Sequence, residues 1–267
     1  MDLGYAGATA VVTGASKGMG LAIAESLGAE GASVALMARG RDALESAARR
    51  VRDAGAPEVL PISVDMADAD SIAAGYATVR DTWGGLNVLV HTVGPNAGRF
   101  EDLDDDDWHA AFDLGTMAAV RSVRAALPML RSASWARIVT LSAHSIQRQS
   151  AGLVAYTASK AALASFTKNL SKTLGPENIL VNCVCPGTIV TASFTEILKD
   201  VLAAEGLDSA DPADVMTWVE RTYGHPCDLG RAGLPDEIAS ATVYLASKRN
   251  SYVTGATVNV DGGSDFI

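Results

Sequence analysis

Thr9-Ala10-Val11-Val12-Thr13, a short run of β-branched and small apolar residues, leads without a break into Gly14-Ala15-Ser16-Lys17-Gly18-Met19-Gly20. Beyond the glycines, Leu21, Ala24 and Leu27 recur at helical spacing. Strand, glycine turn and helix in that order say more than the glycines alone. Glycines permit a tight turn and close backbone approach to a pyrophosphate, and the free N–H groups at a helix start favour its charge. The stretch is no Walker loop, because Gly-Lys-Ser/Thr does not stand at the required spacing. It also matches G-x-S-x-G, with Ser16 as the nucleophile of a serine hydrolase. That chemistry needs an upstream oxyanion loop and a downstream acid followed by His, whereas only 13 residues precede Gly14 and the last His is His225. The hydrolase stands third among the readings.

Outward from this unit, apolar runs near 8–13, 32–38, 58–64, 87–92, 136–142, 179–185 and 256–260 read as strands. Amphipathic stretches near 18–30, 41–54, 68–83, 104–131, 150–174 and 235–247 read as helices. Alternation of this kind makes βα units, and strands apolar on both faces, such as Val34-Ala35-Leu36-Met37-Ala38, suit a sheet covered by helices on both sides. The expected fold is α/β: a Rossmann-like, doubly wound parallel sheet of about seven strands, one domain over 1–267. Residues 192–234 break the alternation with two helix-like pieces, Phe194 to Ala204 and Pro212 to Tyr223. An insertion of that length beside a sheet reads as a substrate lid.

The composition is 48% hydrophobic, ample for a large core and against disorder. A net charge of −10 disfavours nucleic acid and anionic membrane surfaces as partners. Cys183 and Cys185 lie in an apolar run and read as buried strand thiols of a reducing compartment. The start Met1-Asp2-Leu3-Gly4 has no signal-peptide pattern, and Pro186 and Gly187 interrupt the uncharged stretch 178–195. A cytoplasmic location is expected. The acidic run Glu101 to Asp107 precedes Trp108 and a helical pattern, so its carboxylates read as a helix cap; no metal site is expected.

Tyr156-Thr157-Ala158-Ser159-Lys160 lies in a helical stretch, where a spacing of four puts Tyr156 and Lys160 on one face. An ammonium beside a phenol is expected to favour phenolate and lower its pKa towards values useful for proton transfer. Ser142 and Ser145 follow the preceding strand, which completes a set suited to carbonyl reduction. After the second strand comes Arg39 where an NAD site carries a carboxylate, with Arg41 nearby and Lys17 in the glycine loop. Cations there suit a 2′-phosphate, so NADP(H) is favoured.

With these residues in place, the chain resembles the short-chain dehydrogenase/reductase family over essentially its whole length. Thr13 to Gly20 matches T-G-x-x-x-G-x-G, and Tyr156 to Lys160 matches Y-x-x-x-K. Val64-Asp65 and Pro186-Gly187-Thr188-Ile189-Val190-Thr191 resemble the adenine and nicotinamide segments. Gly230-Arg231, Pro235 to Ala239, and Thr254-Gly255 through Gly263 resemble the closing ones. The resemblance implies a cofactor held by Gly14, Ser16, Lys17, Gly18, Met19, Gly20, Arg39, Asp65, Gly94, Tyr156, Lys160, Pro186, Gly187, Ile189 and Thr191. Tyr156 would be the acid/base and Lys160 would hold the ribose. It also implies homodimers or homotetramers through the two long central helices. Three positions depart from the pattern: His91-Thr92-Val93-Gly94 replaces N-N-A-G, Gly115 stands where members often carry a water-holding Asn, and Ala143 takes the place of the usual catalytic Ser. The carbonyl-polarising donor is left open between Ser142 and Ser145, with Thr92 or His144 next. The expected activity interconverts a carbonyl and a secondary alcohol on a small-to-medium apolar substrate; the alternative is a cofactor-binding protein with little turnover.

Overall fold

The computed structural model describes residues 2–264. Seven strands form one parallel sheet in the order β3-β2-β1-β4-β5-β6-β7. They are β1 (Thr9–Thr13), β2 (Ser33–Ala38), β3 (Val59–Ser63), β4 (Val88–His91), β5 (Ala136–Leu141), β6 (Ile179–Pro186) and β7 (Thr257–Val260). The chain winds outward from β1 to β3, then crosses to β4 and winds the other way. The strand order reverses between β1 and β4, which opens a crevice at the carboxyl ends of these strands.

Alternate residues of the strands feed two cores. Val12, Leu36, Val90 and Val139 pack with α1 (Gly18–Ala29), α2 (Arg41–Asp53) and α9 (Pro235–Ala246). Val11, Met37, Leu89 and Ile138 pack on the other face with α3 (Ala69–Trp83) and α5 (Ala118–Ser132), and α6 (Val154–Leu174) covers the same face. Leu36 and Leu89 are fully buried, so truncating either to Ala would cost about 2–5 kcal/mol. Cys183 and Cys185 are buried, free thiols on β6.

The expected continuous helix over 104–131 is instead three pieces. Helix α4 (Asp105–Phe112) begins at a capping box in which Asp104 and Asp107 exchange bonds, so the acidic run does cap a helix. A π-turn over Asp113–Met117 follows, then α5. The interruption has a tertiary cause: a Cβ on Gly115 would lie 2.3 Å from Ser159 Oγ of α6, and Thr116 Oγ1 donates to the Ser159 carbonyl at 2.8 Å. Gly115 lets α6 press against this turn, and the ladder opens to admit it.

The insertion holds α7 (Ala192–Ala203) and α8 (Pro212–Tyr223) around a core of its own, with Leu198, Leu202, Val215, Met216, Trp218 and Val219 at its centre. Thr191 caps α7 by accepting from Phe194 N at 3.2 Å, and Asp211 caps α8 with Pro212 behind it. A bridge ties the base of the insertion together, Ile189 pairing with Gly233 through Val190 N to Gly233 O and Gly233 N to Thr188 O, and Leu229 N to Gly262 O ties its later part to the segment after β7. No helix among the described residues is long and apolar enough to cross a membrane.

Candidate active site

Two adjoining cavities lie at the carboxyl edge of the sheet. The first, of about 500 Å³, is lined by Gly14, Ser16, Lys17, Gly18, Met19, Gly20, Arg39, Asp65, Gly94 and Thr191, among others. Its glycines are there for space. Gly14 has a left-handed φ of +70°, and a Cβ on it would sit 2.5 Å from Thr92 Oγ1; one on Gly20 would sit 2.3 Å from the Gly14 carbonyl. No side chain caps α1, and its first turn lines the cavity, which leaves a helix start for an anion. Asp65 shapes the turn after β3, accepting from Ala67 N at 3.0 Å. Arg39 makes no ion pair among the described residues and joins Lys17 at the cavity wall. Arg41 lies instead in a separate hollow with Leu44, Glu45, Pro61 and Ser63. This glycine cradle, uncapped helix start and pair of cations fit a dinucleotide phosphate.

The second cavity, of about 330 Å³, is lined by Ser142, Ala143, His144, Ser145, Leu153, Tyr156, Pro186, Gly187 and Ile189, and by Phe194, Val219, Tyr223 and His225 from the insertion and the loop after it. Met19 and Thr191 line both cavities, so the two are continuous there. Gly94 marks the junction: a Cβ on it would be 3.0 Å from Lys160 Cε and 3.8 Å from Tyr156 Cε2.

Lys160 is buried behind Gly94 and donates from Nζ to the carbonyls of Val93 (3.0 Å) and Leu141 (2.8 Å). Burial brings its pKa down to about 8. The expectation that this ammonium lowers the Tyr156 pKa is corrected: desolvation, with Cys185 adding to it, pushes that pKa up to about 12. Tyr156 therefore holds its proton at neutral pH.

Hydrogen-bond accounting separates the candidate donors. Ser142 Oγ gives its hydrogen to the Lys160 carbonyl at 2.8 Å, and Thr92 Oγ1 gives its own to the Thr13 carbonyl at 2.6 Å. His144 Nδ1 donates to the Pro186 carbonyl at 3.3 Å. Ser145 Oγ accepts from Thr157 Oγ1 at 3.1 Å, which leaves its own hydrogen uncommitted. His91, in the altered N-N-A-G segment, pairs Nδ1 with Thr13 Oγ1 at 3.0 Å and joins the ends of β1 and β4. Burial and the Lys160 charge push its pKa down to about 3, so it is neutral. Ser16 lines the first cavity, where no His stands among the described residues, so the hydrolase arrangement is not formed. Tyr223 and His225 were beyond sequence reasoning; they reach the second cavity through Gly224, whose left-handed φ of +63° ends α8.

The enoyl-(acyl carrier protein) reductase family model matches residues 14–265. The chain is 34% identical over 261 residues to the 3-oxoacyl-[acyl-carrier-protein] reductase FabG of Chlamydia muridarum, across 95% of this chain and 96% of that protein. It is 33% identical over 255 residues to the short-chain reductase protein NovJ of Streptomyces niveus, across 95% and 92%. Among solved structures, the L-sorbose reductase of Gluconobacter frateurii complexed with NADPH and L-sorbose superposes with a TM-score of 0.92 at 33% identity, across 99% of this chain and 98% of that one. Sequence, sheet order and the paired cavities agree, and the chain belongs to the short-chain dehydrogenase/reductase family as an NAD(P)-dependent oxidoreductase.

Proposed function

We propose that this chain interconverts a ketone and a secondary alcohol on a small-to-medium, largely apolar substrate, with NADP(H) as its preferred cofactor. The observation that carries the reading is the meeting of Tyr156 and Lys160 at Gly94, where the glycine-walled and apolar cavities join. The bound nicotinamide would supply or take the hydride. Tyr156, protonated at neutral pH, donates to the carbonyl oxygen during reduction. Lys160 has three N–H groups and spends two on Val93 and Leu141, so one remains for a ribose hydroxyl beside Tyr156. Ser145, whose hydrogen is free, polarises the carbonyl in place of the residue missing at Ala143.

Arg39 and Lys17 support NADP(H), since no carboxylate follows β2, and so does the NADPH in the sorbose reductase complex. The net charge of −10 offers no basic platform for an acidic acyl carrier, so a free small molecule is the better substrate. The 192–234 insertion acts as the lid, because Phe194, Val219 and Tyr223 wall the apolar cavity. A cytoplasmic setting and a homodimer or homotetramer through α5 and α6 belong to the same reading. The free thiols support the first and the family resemblance the second.

The test is turnover of a ketone panel with NADPH by wild type and Tyr156→Phe. Loss of about 10²-fold or more with cofactor affinity retained supports the reading. Equal residual turnover by both proteins favours a cofactor binder without this chemistry.

A further inference from the structure

The apolar cavity holds a pair of imidazoles that hydride transfer does not use. His144, from the turn after β5, and His225, from the loop after α8, meet edge to face with ring centroids 5.7 Å apart and planes at 81°. Both line the cavity; no Asp, Glu, Lys or Arg is among the described residues lining it, although the charges of Arg148 and Asp261 reach His144 from beyond the lining, and that of Arg148 reaches His225.

A neutral imidazole has one N–H and one lone pair. The Pro186 carbonyl can only accept, so His144 gives it the Nδ1 hydrogen, and Nε2 is left as an acceptor. That Nε2 has no hydrogen-bond partner among the described residues, and it is not one of the sealed, unpartnered buried atoms; it opens onto the cavity that His144 lines. His225 is likewise engaged by the backbone of Gln149, which again leaves one nitrogen with a lone pair. Burial holds both rings below the ordinary histidine range, so at neutral pH neither gains a second N–H or a charge.

The wall thus carries the lone pairs of two neutral imidazoles beside the hydroxyls of Tyr223 and Thr188, and His144 Nε2 among them can only accept. A carboxylate, phosphate, ether oxygen or second carbonyl would bring lone pairs against lone pairs, and a purely apolar group would leave the acceptor desolvated and unpaired. Only a ligand with a hydrogen to give satisfies it. Resting on the reductase reading above, we propose that the substrate is an uncharged hydroxyketone. Its carbonyl meets Tyr156 and Ser145, and its hydroxyl donates to His144 Nε2 beside the edge of His225. His144 then determines specificity and takes no part in the hydride step.

The experiment compares 3- and 4-hydroxycyclohexanone with their methyl ethers and with 3- and 4-methylcyclohexanone. All are assayed with NADPH on wild type, His144→Phe and His144→Gln. Wild type is expected to prefer a hydroxyketone over its ether and methyl analogue by about 10²-fold in kcat/KM, mostly through KM. His144→Phe should bring that ratio, taken within the variant so that any common change in turnover cancels, to within about threefold, and His144→Gln, which keeps an acceptor oxygen, should restore part of it. Equal use of hydroxylated and methylated ketones by wild type, or an unchanged ratio in His144→Phe, overturns the inference while leaving the reductase reading intact. Absence of any ketone turnover is a failure of the reductase reading instead. The inference is then decided by thermal shift of the NADP⁺-loaded protein with cyclohexane-1,4-diol and with 4-methoxycyclohexanol: a larger shift with the diol supports it, and equal shifts overturn it.

Discussion

In the nucleotide half of the cleft, backbone does the shaping: Gly14 and Gly20 leave room that a single Cβ would fill, and the start of α1 is bare. In the substrate half, side chains from three distant segments converge. Ala143, His144, Ser145 and Tyr156 follow β5, Ile189 and Phe194 follow β6, and Tyr223 and His225 lie at the end of α8 and just beyond it. The first half is a local structure that any member with the same turn must build. The second is an assembly, in which one substituted residue changes what is recognised. Ala143 falls on the assembled side, where the neighbouring Ser145 keeps an uncommitted hydroxyl hydrogen, while Gly115 lies outside both cavities with Ser159 filling the space beside it.

The sharpest way to break this contrast lies in the substrate half. Removing a donor that meets a developing oxyanion costs about 10²–10³-fold in kcat, so Ser145→Ala should show that loss, whereas Ser142→Ala should stay within about tenfold. Steady-state kinetics on one good ketone checks both. Ala143→Ser in the Ser145→Ala background should recover part of the rate, because a hydroxyl returns to the same wall. Equal effects of the two serines would mean that hydrogen-bond accounting does not identify the donor.

In the nucleotide half, Arg39→Ala should weaken NADPH binding by about 10–100-fold, the worth of a lost charge-assisted contact, and leave NADH binding almost unchanged. Fluorescence titration with both cofactors separates these outcomes. Equal weakening of both would move the phosphate contact to Lys17.

The two halves share Lys160, and pH reads it. Its ammonium persists below a pKa of about 8 and is lost above it, so kcat/KM for reduction should fall about tenfold per unit above pH 8. Tyr156, at about 12, keeps its proton throughout that range and contributes no descending limb of its own. A flat profile to pH 10 would show that the ammonium is not required.

Much of this was legible in the chain itself, for reasons that differ from place to place. Strand runs such as Val88-Leu89-Val90 and the helix pieces of the insertion are local patterns, and the observed elements follow them closely. The positions of the glycine loop, Tyr156 and Lys160 were legible through their spacing, and that of Asp65 through the family resemblance; the structure brings the loop and Asp65 to one cavity and sets Tyr156 and Lys160 beside Gly94. The π-turn was not, since it answers to Ser159 on another helix. The direction of the Tyr156 shift was misread for a related reason: spacing shows that Lys160 is near, while burial decides which effect wins. Tyr223 and His225 lie in the 192–234 segment read as a substrate lid but were not singled out, because the periodicity of α8 does not say what its end and the chain beyond Gly224 will meet.

The smallest expected effect concerns the boundary between the halves. Thr191 lines both cavities, lies beside Gly18, where an added Cβ would sit 3.4 Å from its Cγ2, and caps α7, so the insertion begins at the edge of the cofactor cavity. Its base is held by the Ile189–Gly233 bridge, its later part by Leu229 N to Gly262 O at 3.1 Å and by Arg148 to the Gly224 carbonyl, and its interior has its own apolar core. If the insertion is a lid, it should open as a body by breaking those ties while keeping its internal contacts. Thr191→Ala removes the cap, worth about 1 kcal/mol, and should lower Tm by about 2–4 °C. The same change should speed proteolysis within 192–234 more than elsewhere in the chain. Saturating NADPH with a bound alcohol should slow cleavage of that segment in wild type, and less in the variant, because the contact joining loop to lid is weakened. Limited proteolysis with mass mapping reads both proteins. If ligand leaves cleavage of 192–234 unchanged in wild type, the insertion is a fixed wall, and the substrate half is as rigid as the nucleotide half.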